Sequence, residues 1–265
     1  MTASARVSNT TWDLDADVLV IGSGAAGLPA AIKAVESGAS VIVVEANYDV
    51  GGHAILSGGH MALGGGTSVQ KKYGVVDSPD IVFSDLTDWS IVQPNGSPDF
   101  RYNDRALMRA FADHCALTFE FLLEHGVQFA EKPPDNHGAS TTGNSAPRES
   151  HAVWTKGAGL ESPNAAPGTG VVRPLEASAR TKGVRFLLNY KMTEILREPS
   201  TEGKVGRVLG ITVRYTPRIM PGSTTSLKSF RSFRLRAPPG CGSQERLLRT
   251  DRSAGISTAS SIVRS

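Results

Sequence analysis

Cysteine is scarce in this chain of 265 residues. The two present, Cys115 and Cys241, cannot build a disulfide framework or a cysteine-ligated zinc centre, and such sparing use suits a reducing compartment. Long apolar runs are missing as well. No stretch of about 18 apolar residues occurs, which excludes a membrane-spanning helix. Met1 to Asp17 carries one Arg and three Asp around no apolar core, so no secretory leader is expected and the expected location is cytoplasmic. No internal repeat is visible. Hydrophobic residues at 40% and charged residues at 20% are those of a folded globular chain, long enough for one large domain or two small ones.

Glycine, by contrast, is concentrated. Of 28 in the chain, eleven fall between Gly22 and Gly66, so the enrichment has a local cause. Charge is divided just as unevenly. Residues 1–221 hold 20 Lys and Arg against 23 Asp and Glu, whereas residues 222–265 hold 8 against 2. The body therefore carries a net −3 and gives no reason to expect a polyanionic partner. The basic pI comes from the tail, which leaves a tail-mediated nucleic-acid or membrane binder as a rival reading.

Ala16 to Ile21 is a short β-branched apolar run, the signature of a buried parallel strand. Leu28 to Ser37 has apolar residues at helical spacing and Gly38 as a stop, with Pro29 tolerable in the first turn. Ser40 to Glu45 is a second buried strand. Together they make a right-handed βαβ unit. A further helix is expected over Asp104 to His125, with Leu107, Phe111, Cys115, Phe119 and Leu122 as its apolar stripe and Gly126 after it. Gly51 to Gly66 and Glu131 to Gly170 read as irregular, and Val171 to Ala179 as helix. Val184 to Leu188, Met192 to Leu196 and Val208 to Tyr215 read as strands, with Gly203 in the turn before the last.

The turn between the first strand and helix reads Gly22-Ser23-Gly24-Ala25-Ala26-Gly27, and Glu45 ends the next strand. Gly22 makes the tight turn, Gly24 lets backbone approach a pyrophosphate, and Gly27 lets helix and strand pack closely. The helix N-terminus offers N–H groups and a positive dipole end to phosphates, and Glu45 can accept hydrogen bonds from ribose hydroxyls. The alternative is a tight turn that binds nothing. The full strand, turn, helix and acid context favours a dinucleotide site.

The stretch Glu45-Ala46-Asn47-Tyr48-Asp49-Val50-Gly51-Gly52-His53, followed by Ser57-Gly58-Gly59-His60-Met61, resembles the FAD-dependent oxidoreductases of the fumarate reductase, succinate dehydrogenase flavoprotein and 3-ketosteroid dehydrogenase type. The resemblance continues through Leu107 to Gly126, Gly170 to Leu175 and Lys191 to Leu196, so it spans roughly residues 14–220. It implies an α/β fold: a Rossmann-like FAD-binding domain with a parallel sheet and an appended antiparallel hairpin. It implies FAD held by Gly22, Ser23, Gly24, Ala25, Ala26, Gly27, Glu45, Ala46, Gly51, Gly52, His53, Ala54, Ser57, Gly58 and Gly59, with Met192 meeting the adenine through its backbone. Some relatives attach FAD covalently through a His in this neighbourhood. Four residues separate His53 from Gly58, a spacing closer to the non-covalent relatives, so His53 is expected to be a polar contact. His60, His114, His125, His137 and His151 show no metal spacing and are expected at the surface or at helix ends; no metal is expected. Cys115 is expected to be inert core.

Relatives continue with an Ala-Thr-Gly-Gly-like turn and a capping domain that carries much of the substrate site. Neither is recognisable here, so the capping domain is expected to be absent and no catalytic residue is assigned. The FAD-binding domain is expected to end near residue 221. Residues 222–265, with fourteen Ser and Thr, are expected to be a disordered basic tail or a segment foreign to the family. The implied function is oxidation or reduction of a C–C bond beside a carbonyl or carboxylate, with a small-molecule substrate and an unidentified electron partner, and with neither nucleic acid nor membrane. The rival from another class is a non-catalytic flavin-binding fragment.

Overall fold

The computed structural model describes residues 11–92, 104–136, 145–153, 167–199, 206–217 and 232–236. The elements are β1 (Leu14–Asp15), β2 (Val18–Ile21), α1 (Gly27–Glu36), β3 (Val41–Glu45), β4 (His60–Ala62), α2 (Ser68–Lys72), α3 (Pro79–Val92), α4 (Arg105–Glu124), β5 (Glu149–His151), α5 (Thr169–Thr181), β6 (Arg185–Leu188), β7 (Tyr190–Arg197), β8 (Val208–Tyr215) and β9 (Ser232–Arg236). They divide into two compact units, Met1–Ile55 with Leu175–Ser265, and Leu56–Pro174.

The first unit is built on the expected βαβ element. β2, β3 and β6 form a parallel sheet in the order β2-β3-β6, with Val18 opposite Val41 and Ile42 opposite Arg185. All five residues of β3 are buried, the first four as a branched apolar run in a central parallel strand should be, the fifth being Glu45. Helix α1 buries Leu28, Ala31 and Ile32. A second sheet runs β1-β9-β8-β7, antiparallel except where β1 lies parallel to β9. Ala16, Leu19, Ile42 and Val44 pack with Ile211, Val213 and Leu235 into one core. The fold class is therefore α/β with a parallel sheet and antiparallel strands.

β9 corrects the expected boundary. Ser232–Arg236 falls inside the segment read as tail, yet Leu235 is fully buried between Leu14 and Ile211. The physical reason is a period of 2 that the scattered composition hid: Phe233 and Leu235 alternate with Ser232, Arg234 and Arg236. The sheet therefore reaches at least Arg236, and the expectation for residues 237–265 lies outside the described residues. So does the turn at Gly203.

In the second unit, α4 begins where expected: the Asp104 side chain accepts the Leu107 N–H at 3.0 Å. Gly126 ends it with a φ of +87°. The stripe is rotated, however. Leu107 and Phe111 are exposed, while Ala112, Cys115, Phe119 and Leu122 are buried, because Ala112 and Cys115 are the residues that meet Val82 of α3. Helices α2 and α3 were not anticipated. Both carry start signals: Thr67 and Gln70 form a capping box at α2, and the Ser78 hydroxyl accepts the Ile81 N–H at 3.3 Å beside Pro79. The stretch read as irregular also contains β4, which pairs antiparallel with β5. Among the described residues, no helix is long and apolar enough to cross a membrane.

Candidate functional site

The glycines of the first turn each occupy the position their task requires. Gly22 has a φ of +90°, which turns the chain sharply out of β2. A Cβ on Gly27 would lie 2.0 Å from the Gly22 carbonyl oxygen, so only glycine lets α1 start this close to the strand. Gly24 is different. A Cβ there would meet only the Gly51 oxygen at 3.8 Å, so its side of the turn is open. Ala25 and Ala26 are exposed beside it, and no side chain caps the N-terminus of α1. Backbone N–H groups and a helix dipole thus face open space, an arrangement that fits a phosphate.

Gly51 and Gly52 are brought to the same place. The Gly51 N–H donates to the Ser23 carbonyl and to its hydroxyl, both at 3.1 Å, and a Cβ on Gly52 would lie 3.9 Å from Gly24 Cα. With φ of +106° and +52°, the doublet folds back on the first turn. The two glycine clusters therefore form one backbone-lined cradle at the carboxyl ends of β2 and β3, where open parallel sheets bind ligands.

Glu45 has a part the sequence did not reveal. Its buried carboxylate accepts the Ser23 N–H at 2.9 Å and the Ser23 hydroxyl at 2.6 Å through Oε2, and the Asn47 N–H at 2.8 Å through Oε1. Three of about four acceptor positions on a carboxylate are thus used inside the protein. Glu45 first ties the glycine turn to the end of β3, and the expected ribose contact is left to its remaining acceptor position. Glu45→Ala is therefore expected to lower stability by about 1–3 kcal/mol even without flavin, because it strands buried donors. Thermal unfolding of the flavin-free variant checks this, and an unchanged midpoint would leave Glu45 with a ligand role alone.

Ala46 and His53 are exposed and Ala54 is half-buried, all in the first unit. Met192, on β7, packs partly buried against the core and faces Val213 in the ladder. A bulge follows it, and the Asn189 N–H bonds the Asn47 oxygen at 2.8 Å, which holds the start of β7 beside the end of β3. Ser57, Gly58 and Gly59 belong to the second unit. There, Gly59 has a φ of +67° and packs so tightly that a Cβ would lie 2.8 Å from the Pro167 carbonyl carbon.

The second unit holds a buried ionic cluster that no sequence pattern announced. Arg148 donates through Nε and Nη2 to Asp77 at 2.8 and 2.9 Å and through Nη1 to Asp85 at 2.6 Å. Asp77 also accepts from Gln70 and the Gly65 N–H, and Asp85 accepts twice from Ser145. Burial pushes both carboxyls up, but these hydrogen bonds outweigh it and hold them below the ordinary carboxylate range. Cys115 is buried and its thiol is pushed up to about 11, chiefly by burial, so it is inert as expected. A groove of about 810 Å³ in this unit, lined by Ser68, Lys72, Phe119, Leu123 and Phe129 among others, includes none of the expected cofactor contacts. His125 caps the end of α4, as expected, and His137 lies outside the described residues.

A parallel sheet with a glycine cradle at its carboxyl ends, an open helix N-terminus and an acid on the second strand defines a dinucleotide-binding α/β protein. Residues 17–252 match the family described as FAD binding domain (FAD_binding_2), and the chain belongs to that family. The match runs past residue 221, in keeping with β9. The chain is 29% identical over 198 residues to the fumarate reductase (cytochrome) of Shewanella frigidimarina, a span of 75% of this chain and 29% of that protein. It is 28% identical over 228 residues to the 3-oxo-5-alpha-steroid 4-dehydrogenase of Comamonas testosteroni, covering 78% and 38% respectively. The solved 3-ketosteroid-delta4-(5alpha)-dehydrogenase of Rhodococcus jostii RHA1 matches with a TM-score of 0.63 at 25% identity, over 87% of this chain and 45% of that one. The chain thus spans less than half the length of each of these relatives. By name the relatives are reductases and dehydrogenases, which makes this an FAD-binding oxidoreductase family.

Proposed function

We propose that the chain holds FAD non-covalently on the cradle formed by Gly22–Gly27 and Gly51–Gly52. In this reading it serves an oxidoreductase of the fumarate reductase and ketosteroid dehydrogenase type, acting on a C–C bond beside a carbonyl or carboxylate. The observation that carries the reading is the open side of Gly24, framed by an uncapped helix N-terminus and by Gly51. When bound, FAD supplies hydride transfer at its N5. The chain's own part is orientation. Ala25, Ala26 and Gly27 would present backbone N–H groups to the pyrophosphate, Glu45 would fix the turn and accept from the ribose, and Met192 would border the adenine through its backbone. The substrate class rests on likeness to the named relatives, and the electron partner is a further part of the proposal. No residue is assigned to proton transfer.

Two measurements test this. Acid denaturation is expected to release the flavin intact, whereas flavin retained by the wild-type polypeptide and lost in His53→Ala would establish covalent attachment instead. Anaerobic reduction of the bound flavin, followed by reoxidation with fumarate or an enone steroid, is expected if the chain turns over. Binding without reoxidation would favour the non-catalytic reading.

A further inference from the structure

The pairing of β4 with β5 gathers residues that sequence spacing kept apart. His60 lies directly opposite His151 in the ladder, and Ala62 lies opposite Glu149. Because side chains alternate along a strand, His60, Ala62, Glu149 and His151 share one face. A third segment joins them: Asp135 pairs with Glu149 through reciprocal backbone hydrogen bonds, both at 3.0 Å. The result is two imidazoles and two carboxylates on a small, hydrogen-bonded surface of the second unit.

Their donor atoms converge. His60 Nδ1 lies 2.6 Å from Glu149 Oε1, and His151 Nε2 lies 4.0 Å from the same oxygen. The ligating atoms of these three residues all lie within 4.8 Å of one another. Four ligands about 2.0–2.1 Å from a tetrahedral ion stand roughly 3.3 Å apart, so the widest pair has to close by at most about 1.5 Å, shared between two side chains. Asp135 Oδ2 lies 3.0 Å from His151 Nε2 and also accepts from Lys132 Nζ at 2.9 Å. Facing the same ring nitrogen as Glu149 does, it is placed to supply a fourth oxygen, leaving that position to water otherwise. The imidazole of His60 is itself braced against Gly58, where a Cβ would come within 3.3 Å of the ring.

We propose that His60, Glu149 and His151 form a binding site for a divalent transition-metal ion of the Zn²⁺ class. The chemistry of the set selects the ion. Two neutral imidazoles and a carboxylate suit Zn²⁺ and its neighbours, whereas Ca²⁺ and Mg²⁺ demand oxygen ligands almost throughout. The expectation that no histidine would serve a metal is thereby revised, because strand pairing, not sequence spacing, makes the site. The proposal does not rest on the flavin reading, since none of His60, Glu149 and His151 is among the expected flavin contacts.

The test is titration of the purified full chain with Zn²⁺ by calorimetry, and with Co²⁺ by visible absorbance, against His60→Ala and His151→Ala. One Zn²⁺ per chain is expected, with Co²⁺ giving the strong bands of a tetrahedral site that Zn²⁺ then displaces. Each substitution is expected to weaken binding by at least about tenfold. The His60 side chain is 49% exposed, so its replacement is not expected to disturb the fold, and the thermal midpoint of the metal-free variant verifies that. Absence of binding, or equal affinity in the wild type and in His60→Ala, would overturn the proposal.

Discussion

Arg148→Met is expected to destabilise the second unit by about 3–5 kcal/mol, the cost of leaving two buried carboxylates without their cation. Asp77 and Asp85 come from different segments, 71 and 63 residues before Arg148, so the cluster staples distant parts of the chain. Arg148→Lys would keep the charge but lose the fork that grips both Asp77 oxygens, and should fall between wild type and Met. The pH dependence follows from the same contacts. Both carboxyls are held below their ordinary value of 3.8 in the folded state, so their contribution is present above that pH and is lost as pH falls through the lower folded-state values. Urea denaturation of wild type and Arg148→Met at neutral and acid pH checks both statements. The variant should lose much of the acid sensitivity along with the stability. An Arg148→Met midpoint equal to wild type would remove the cluster from the account.

The second large effect separates two glycines of one motif. Gly24→Val is expected to leave the fold intact, because the added Cβ meets nothing closer than 3.8 Å, yet to abolish flavin binding by filling the space beside the helix N-terminus. Gly27→Val is expected to do the reverse of the first half. Its Cβ would overlap the Gly22 carbonyl at 2.0 Å, and backbone cannot step aside as a side chain can. Loss of stability at or above the upper end of the roughly 1–3 kcal/mol seen for overpacking should follow, with flavin lost as a consequence. Thermal unfolding read alongside flavin content distinguishes them: Gly24→Val folded and empty, Gly27→Val unstable.

The parts of this molecule that were legible in the sequence are those written locally. β2, α1 and β3 are adjacent in the chain, their apolar runs are continuous, and the glycine spacing between them has a steric meaning that needs no partner. The ends of α4 were equally readable, because Asp104 and Gly126 act on their own turns. What depended on distant partners was not. The rotation of the α4 stripe is set by Val82. The burial of Leu235 is set by Leu14 and Ile211, and a single apolar alternation in basic surroundings gave little sign of it. Glu45 was recognised as an acid at the right strand end, but its grip on Ser23 needs the folded turn. Arg148 with its two aspartates, and His60 with His151, are joined only by tertiary pairing. Helix α2 is an exception of another kind, since the capping box of Thr67 and Gln70 was present locally in a glycine-rich stretch.

The central claim is that the cradle of Gly22–Gly27 and Gly51–Gly52 is an FAD site. The most direct test is the absorbance spectrum of the purified 265-residue chain after incubation with FAD and removal of the excess, read with the mass of the ligand released by acid. A flavin spectrum with the mass of intact FAD, present in wild type and absent in a folded Gly24→Val chain, is the predicted result. A wild-type chain that retains no flavin, or a Gly24→Val chain that retains as much as wild type, would contradict it.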